Sequence, residues 1–215
     1  SPFDVATQAA LIVPKRVSNP KDVRAHTADL IRIIPESVEA TGPACGSLIL
    51  FTSWHQLKTV AEAMPTWIKD ILLMQGTLSK RELLAHHTRA VEAGRASVIF
   101  ATSSFEEGVD LPGRLCSLVL VAKLQFVQPT DPVAEALCEH MEGQGRSHFA
   151  EVVVPEACRR LAQSAGRLLR SETDTGNIIV ADPRLTGTPY GRLAPLPVRI
   201  GIIEQAVDIC SGRNI

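Results

Sequence analysis

The stretch Ser47-Leu-Ile-Leu-Phe51 is an uninterrupted apolar run, and it is followed directly by two hydroxyl residues, Thr52 and Ser53. Such a run is typical of a parallel strand that is buried on both faces of a sheet. Ser53 is a suitable N-cap for the helix that follows, and Pro65 is expected to end that helix. A buried strand followed by a helix is the repeating unit of an α/β fold.

The same alternation of strand and helix continues along the chain. Four further apolar runs predict strands, at residues 70–74, 98–101, 117–122 and 177–181. Helices are predicted to begin at a capping box formed by Ser79 and Glu82, and at Asp131 with Pro132 in the first turn. This rhythm predicts an α/β fold with a mostly parallel sheet covered by helices on both faces.

Composition agrees with a globular α/β chain. The 215 residues are 45% hydrophobic and 21% charged, which is enough apolar material for a substantial core. We predict a single domain over residues 1–215, with 1–45 as a leading segment and 186–215 as a C-terminal extension. The formal net charge of −1 removes overall basicity as evidence for nucleic acid, so any such contact must come from a local patch or from backbone amides.

Metal and membrane sites are not predicted. The five cysteines are far apart and form no C-x-x-C pair, so we expect reduced, cytoplasmic thiols. The rings of the adjacent His86 and His87 would point apart on a helix, which disfavours joint metal binding. No apolar run approaches the ~20 residues of a membrane span, and no signal sequence is present, so we predict a cytoplasmic protein without membrane contact.

A run near the C-terminus combines an amide with two guanidinium groups. Gln163, Arg167 and Arg170 are spaced at i, i+4 and i+7, which places them on one face of a helix. Guanidinium forks match phosphate oxygens, so this face suits a triphosphate or a nucleic-acid backbone. The alternative is a surface helix with chance arginines, and this short pattern alone does not separate the two.

Polar segments also follow three of the predicted strands, at the edge where ligands of parallel sheets gather. These segments are 52–53, 102–110 and 182–184. Hydroxyls and a glycine, such as Ser103 and Gly108, suit contacts with phosphate or sugar. Carboxylates suit them less: Glu107 and Asp110 would orient an arginine, a water or a ribose hydroxyl, or would cap the turn at Pro112.

The chain lacks a phosphate-binding loop of its own. No G-x-x-x-x-G-K-[ST] sequence is present, and no G-x-G-x-x-G follows the first predicted strand. A domain with phosphate-facing arginines but no such loop needs a partner domain to complete a nucleotide site.

These motifs, taken in order, resemble a known family. The chain is similar to the second motor domain of DinG-like helicases, bacterial relatives of the XPD helicases, from Ser1 to about Pro197. Residues 104–110 resemble the family's fifth helicase motif, and the run with Gln163, Arg167 and Arg170 resembles the sixth. The other segments that carry the resemblance are 50–53, 75–76, 131–132, 171–174, 182–185 and 190–192.

The resemblance implies an ATP-dependent DNA helicase in which two RecA-like domains hold ATP between them and move toward the 3′ end of one strand. Arg167 and Arg170 would act as arginine fingers on the γ-phosphate. Gln163 would bind that phosphate or place the attacking water. The remaining site residues that it implies are Gly108 and Asp110 at the ATP site, and Ser53, Thr102, Ser103 and Glu107 on the DNA.

The resemblance also implies the partners of the chain. ATP and Mg²⁺ would be bound mainly by an N-terminal RecA-like domain of the same protein, and the substrate would be single-stranded DNA or a duplex with a single-stranded tail. The isolated chain is therefore expected to be inactive. The iron–sulfur cluster of the family lies in its first motor domain, so it is not expected in this chain, and its presence in a longer parent stays open.

Two departures and one alternative accompany this interpretation. Glu106 stands where relatives often carry tryptophan, and Gln125 replaces the proline of a frequent Leu-Pro-Phe. The alternative is a catalytically inactive module that binds nucleic acid or protein and retains the RecA-like fold. A Walker-type lysine loop and an Asp-Glu-x-His box in the upstream sequence would establish the helicase motor, and their absence would favour the inactive module. The pathway, whether DNA repair or CRISPR-associated, stays open.

Overall fold

Seven parallel strands form one sheet in the computed structural model, which describes residues 9–105, 108–126, 132–166, 175–187 and 198–201. The strand order is β3-β4-β2-β5-β6-β1-β7, and every described pairing is parallel. The predicted α/β fold with a parallel sheet is confirmed. The strands are β1 (Ala9–Pro14), β2 (Gly46–Phe51), β3 (Leu72–Met74), β4 (Ser97–Thr102), β5 (Leu118–Val121), β6 (Gly176–Val180) and β7 (Val198–Gly201).

Helices connect these strands. They are α1 (Val23–Thr41), α2 (Trp54–Ala63), α3 (Thr66–Lys69), α4 (Lys80–Glu92), α5 (Pro132–Gly143), α6 (Val154–Ala165) and α7 (Arg184–Gly187). Short 3₁₀ turns cover Ser103–Phe105 and Gly113–Cys116, and a π-helical turn, Phe149–Val153, leads into α6. None of the described helices is long and apolar enough to cross a membrane.

The helix starts that the sequence predicts near β2 and β3 are present. Ser53 caps α2 by accepting a hydrogen bond from the backbone N–H of Gln56. Ser79 and Glu82 form the predicted capping box at the start of α4, with both reciprocal hydrogen bonds made. Asp131, the predicted cap of α5, lies outside the described residues.

The core lies on both faces of the sheet because successive side chains of β2 point to opposite sides. Ile49 and Phe51 pack with residues of α1 and α2 on one face. Leu48 and Leu50 pack on the other face, together with Leu83 of α4 and Leu161 of α6. The prediction of helices on both faces is therefore confirmed.

Two strands were not predicted, and both come from the terminal parts of the chain. β1 lies between β6 and β7 in the sheet. The predicted leading segment thus contributes an interior strand next to the edge of the sheet, and residues 198–201 of the predicted extension contribute the edge strand. The division of the chain into a domain with two terminal segments stays a prediction.

The expectation about the cysteines needs a correction. Among the described residues, Cys116, Cys138 and Cys158 carry free thiols, whereas Cys45 is disulfide-bonded. The prediction of reduced cysteines is therefore wrong for Cys45.

Candidate functional site

A cavity of about 360 Å³ opens where β4 and β5 end, beside α6. Its polar lining comes from the segment after β4, from the segment after β5 and from one face of α6. We call it the α6 cavity, and its lining residues are Leu50, Ser103, Ser104, Val121, Leu124, Gln125, Glu156, Ala157, Arg160, Leu161, Gln163 and Ser164.

A second cavity of about 470 Å³ adjoins the first, since the two share Ser103, Leu124 and Gln125. It carries two lysines, Lys21 and Lys123, besides Arg184, whose charge is balanced by Asp182, so its surface favours an anionic ligand. We call it the Arg184 cavity, and its lining residues are Pro20, Lys21, Thr52, Ser103, Lys123, Leu124, Gln125, Phe126 and Arg184.

Gln163 is an exposed residue in the last turn of α6, and it lines the α6 cavity. Ser103, which follows β4 directly, lines the same cavity. The fold therefore brings together two predicted site residues that are far apart in the sequence. Arg167 and Arg170 lie outside the described residues, so the common face that they are predicted to share with Gln163 stays a prediction.

The predicted DNA-binding hydroxyls differ in what they already contact. Thr102 is 9% exposed, and both its backbone N–H and its hydroxyl bond to the side-chain oxygen of Gln75, at 2.7 and 3.1 Å. Ser53 caps α2 with its hydroxyl. Ser103 is partly exposed and lines both cavities, so among these three its hydroxyl is the best placed to meet a ligand.

Thr52 adds a polar atom that the fold does not satisfy. Its Oγ1 is buried and has no hydrogen-bond partner in the structure, and the residue lines the Arg184 cavity. An unsatisfied hydroxyl costs free energy unless a ligand or a water reaches it. Thr52 is not among the site residues that the sequence predicts, although it stands next to Ser53.

The remaining predicted residues lie elsewhere or outside the described part of the chain. Gly108 has a φ of 67°, in the left-handed region that favours glycine, and it is exposed, as is Asp110. Neither of them lines the two cavities. Glu107 lies outside the described residues.

Arg160, which is not among the predicted site residues, lines the α6 cavity three residues before Gln163 on α6. Its guanidinium donates to Glu156 at 3.3 Å and to the side-chain oxygen of Gln125 at 3.1 Å. Helical spacing would have found it, because residues i and i+3 share a face. Arg160 is thus a cation that is already held in place at the cavity wall.

Asp182 and Arg184 fix the rim of the Arg184 cavity. The fully buried Asp182 carboxylate accepts from the backbone N–H of Leu124 at 2.9 Å and from the Arg184 guanidinium at 2.9 and 2.6 Å. The Arg184 guanidinium lies 4.7 Å from the ring centroid of Phe126. These contacts tie the end of β5 to the end of β6.

The described residues do not form a metal site, because nowhere among them do three His, Cys, Asp or Glu side chains come together. Apart from the Glu156 carboxylate, which accepts from Arg160, the polar groups at the two cavities are hydroxyls, amides, guanidinium groups and the ammonium groups of two lysines. This donor-rich set suits phosphate oxygens.

A RecA-like α/β domain with a donor-lined edge defines the class of the molecule, and comparison with known proteins defines its family. The chain belongs to the helicase C-terminal domain family, whose model matches residues 37–199. It is 37% identical, over 96% of its length, to the ATP-dependent DNA helicase DinG of Photobacterium profundum. It is 38% identical, over 92% of its length, to the ATP-dependent DNA helicase YoaA of Escherichia coli.

The chain corresponds to only part of each of these relatives. The chain spans about 30% of the length of each of these two relatives. Among solved structures, an XPD helicase matches with a TM-score of 0.67 over 89% of this chain and 35% of that one, at 15% identity. That likeness supports the RecA-like fold.

Proposed function

We propose that this chain is the C-terminal motor domain of an ATP-dependent DNA helicase of the DinG and XPD type, working in the cytoplasm. The observation that carries the proposal is the α6 cavity, where Gln163 of the sixth-motif segment and Ser103 at the end of β4 line one space. The similarity to two relatives named as ATP-dependent DNA helicases, over more than nine tenths of the chain, supports the same assignment.

ATP would bind between this domain and an N-terminal RecA-like domain of the same protein. The partner domain supplies the phosphate-binding loop and the main Mg²⁺ ligands, because this sequence has no such loop and the described residues form no carboxylate cluster. Gln163 binds the γ-phosphate or places the attacking water. Arg167 and Arg170 stabilise the charge on the transferring phosphoryl group. Gly108 and Asp110 couple the nucleotide state to the DNA.

Single-stranded DNA would run along the strand ends, as the motor moves toward the 3′ end. Ser103 offers a partly exposed hydroxyl there, and Ser53 and Glu107 complete the proposed contacts. Thr102 takes part by holding the segment after β4 in place, since its own hydroxyl is bonded to Gln75. Hydroxyl and backbone contacts of this kind hold a strand without reading its bases.

The test is a pair of amide substitutions in a protein that contains this chain and its first motor domain. Gln163→Ala should lower DNA-stimulated ATP turnover about 100-fold, because a polar group aimed at the transition state is lost. Gln144→Ala is the matched control, since Gln144 is an exposed amide at the end of α5 and lines neither cavity. Normal turnover in Gln163→Ala would contradict the assignment. DNA binding by the unsubstituted protein without any ATP hydrolysis would favour the inactive module.

A further inference from the structure

An exposed tryptophan stands beside the proposed DNA contacts. Trp54 is the first residue of α2 and follows Thr52 and Ser53 at the end of β2. It is 44% exposed. A large aromatic side chain left this open at a strand-end edge is available to a ligand, because burying it would be favourable.

The indole of Trp54 lies against Gly76. Gly76 follows β3, and a Cβ added there would lie 3.6 Å from Cη2 of Trp54 and 3.9 Å from its Cζ3. The indole thus extends from the end of β2 to the end of β3, the two strands that flank β4 in the sheet. Beside Gly76, Gln75 bonds to Thr102 at the end of β4. The ring is therefore held at the same edge as the proposed DNA contacts.

A cation accompanies this ring. Lys58 is exposed and lies four residues after Trp54 on α2, which places the two on one helix face. An aromatic ring next to a basic side chain is the combination that binds single-stranded nucleic acid: the ring stacks on a base, and the cation contacts the backbone.

We propose that Trp54 is a base-stacking platform for single-stranded DNA, with Lys58 contacting a neighbouring phosphate. The inference rests on the proposed function and extends the proposed DNA path beyond Ser53. Every base has an apolar face, so the stacking tolerates any sequence. It adds a contact with the bases to a path otherwise made of hydroxyl and backbone contacts.

The two tryptophans of the chain provide their own control. Trp67, on α3, is also 44% exposed, and Trp54 and Trp67 are the two tryptophans in the sequence. In ¹⁵N-labelled protein at low salt, titration with an oligothymidylate should shift the indole N–H signal of Trp54 and leave that of Trp67 in place. An abasic oligonucleotide of the same length should shift neither, because it has no base to stack. Trp54→Phe and Trp67→Phe assign the two signals.

Affinity gives the second readout. Trp54→Ala should weaken binding of the oligothymidylate at least about five-fold, whereas Trp67→Ala should leave it unchanged. Lys58→Gln should reduce the salt dependence of binding by about one counterion. Thermal unfolding monitored by circular dichroism checks that each variant is folded.

The outcomes separate this inference from the function on which it rests. Binding that moves the Trp54 signal and is lost in Trp54→Ala supports the platform. Binding of unchanged affinity in Trp54→Ala, with the Trp54 signal unmoved, overturns the platform and leaves the helicase assignment standing. No binding by the unsubstituted chain, even at millimolar oligonucleotide, overturns both the platform and the placement of the DNA path on this edge.

Discussion

At the scale of single residues, the proposed role of Arg167 and Arg170 at the γ-phosphate is the most direct to test. Guanidinium groups stay charged and fit phosphate oxygens in a fixed geometry. In a protein containing both motor domains, Arg167→Ala should lower ATP turnover about 1,000-fold and change nucleotide affinity far less. The reason is that the arginine would contact the phosphoryl group more strongly in the transition state than in bound ATP.

Two further variants sharpen the test of Arg167. Arg167→Lys should not restore turnover, since an ammonium group cannot reproduce the planar fork. Arg159→Ala is the control, because Arg159 is an exposed arginine of α6 that pairs with Glu156. Normal DNA unwinding by Arg167→Ala would show that this arginine is structural.

Gly46 is a residue that the fold cannot replace. A Cβ at this position would lie 1.9 Å from the backbone oxygen of Leu115 and 2.6 Å from Nε2 of His87. Gly46→Ala should therefore lower the free energy of unfolding by about 3 kcal/mol, because backbone must move to make room. Gly143→Ala is the control, since a Cβ there meets nothing within 4 Å. Urea unfolding compares the two, and equal stability would contradict the packing around Gly46.

At the scale of elements, His87 joins α4 to its neighbours. Its Nε2 donates to the carbonyl of Leu115 at 2.7 Å, and its Nδ1 accepts from the Ser97 hydroxyl at 2.8 Å. These are the roles of the two nitrogens in the neutral ring, whose Nε2 must carry the proton because a carbonyl oxygen only accepts. Burial lowers the pKa of His87 below its usual 6.5, although the Leu115 contact opposes the shift.

A pH dependence of stability follows from that shift. Between the ordinary pKa of 6.5 and the lower folded-state pKa, the unfolded chain binds a proton at His87 that the folded chain does not. The contribution of His87 to the free energy of unfolding should be fully present above pH 6.5. Below pH 6.5 the free energy of unfolding should fall by up to about 1.4 kcal/mol per pH unit. Urea unfolding at pH 7.5, 6.5 and 5.5 measures this dependence.

The contribution of His87 is isolated by comparing two histidine variants. His87→Gln should lose part of the pH dependence, whatever its absolute stability. His86→Gln, which changes the exposed neighbour, should keep it. An identical pH dependence in His87→Gln and the unsubstituted chain would contradict the lowered pKa.

The elements show why some of the structure can be read from the sequence. β2 and the capping box of α4 were predictable because an apolar run and a Ser–Glu pair are local signals. β1 carries an apolar run of the same local kind, at residues 9–13, which was not assigned, whereas its place between β6 and β7 depends on partners from the other end of the chain. The site follows the same division: spacing on α6 singles out Gln163, but the cavity that it shares with Ser103 depends on how α6 packs against the sheet.

At the scale of the whole molecule, the hydrogen-bond donors of the two cavities lie at one edge of the sheet, and the chain has little net charge. Because the formal net charge is −1, the chain as a whole does not attract DNA, and binding would depend on a few contacts at the strand ends. In the proposed function the nucleotide site would likewise be shared: this chain would supply Gln163 and the arginines, and another domain would supply the phosphate loop. Neither activity is expected to be complete in this chain alone.

Steady-state ATP hydrolysis by the isolated chain, with Mg²⁺ and single-stranded DNA present, tests the shared site most directly. We predict no turnover above background, because the proposed function assigns the phosphate loop and the magnesium carboxylates to a first motor domain. The same assay on a protein with both domains should show turnover that depends on Arg167. Turnover by the isolated chain that Arg167→Ala abolishes would contradict the account, since it would place a complete ATP site within these 215 residues.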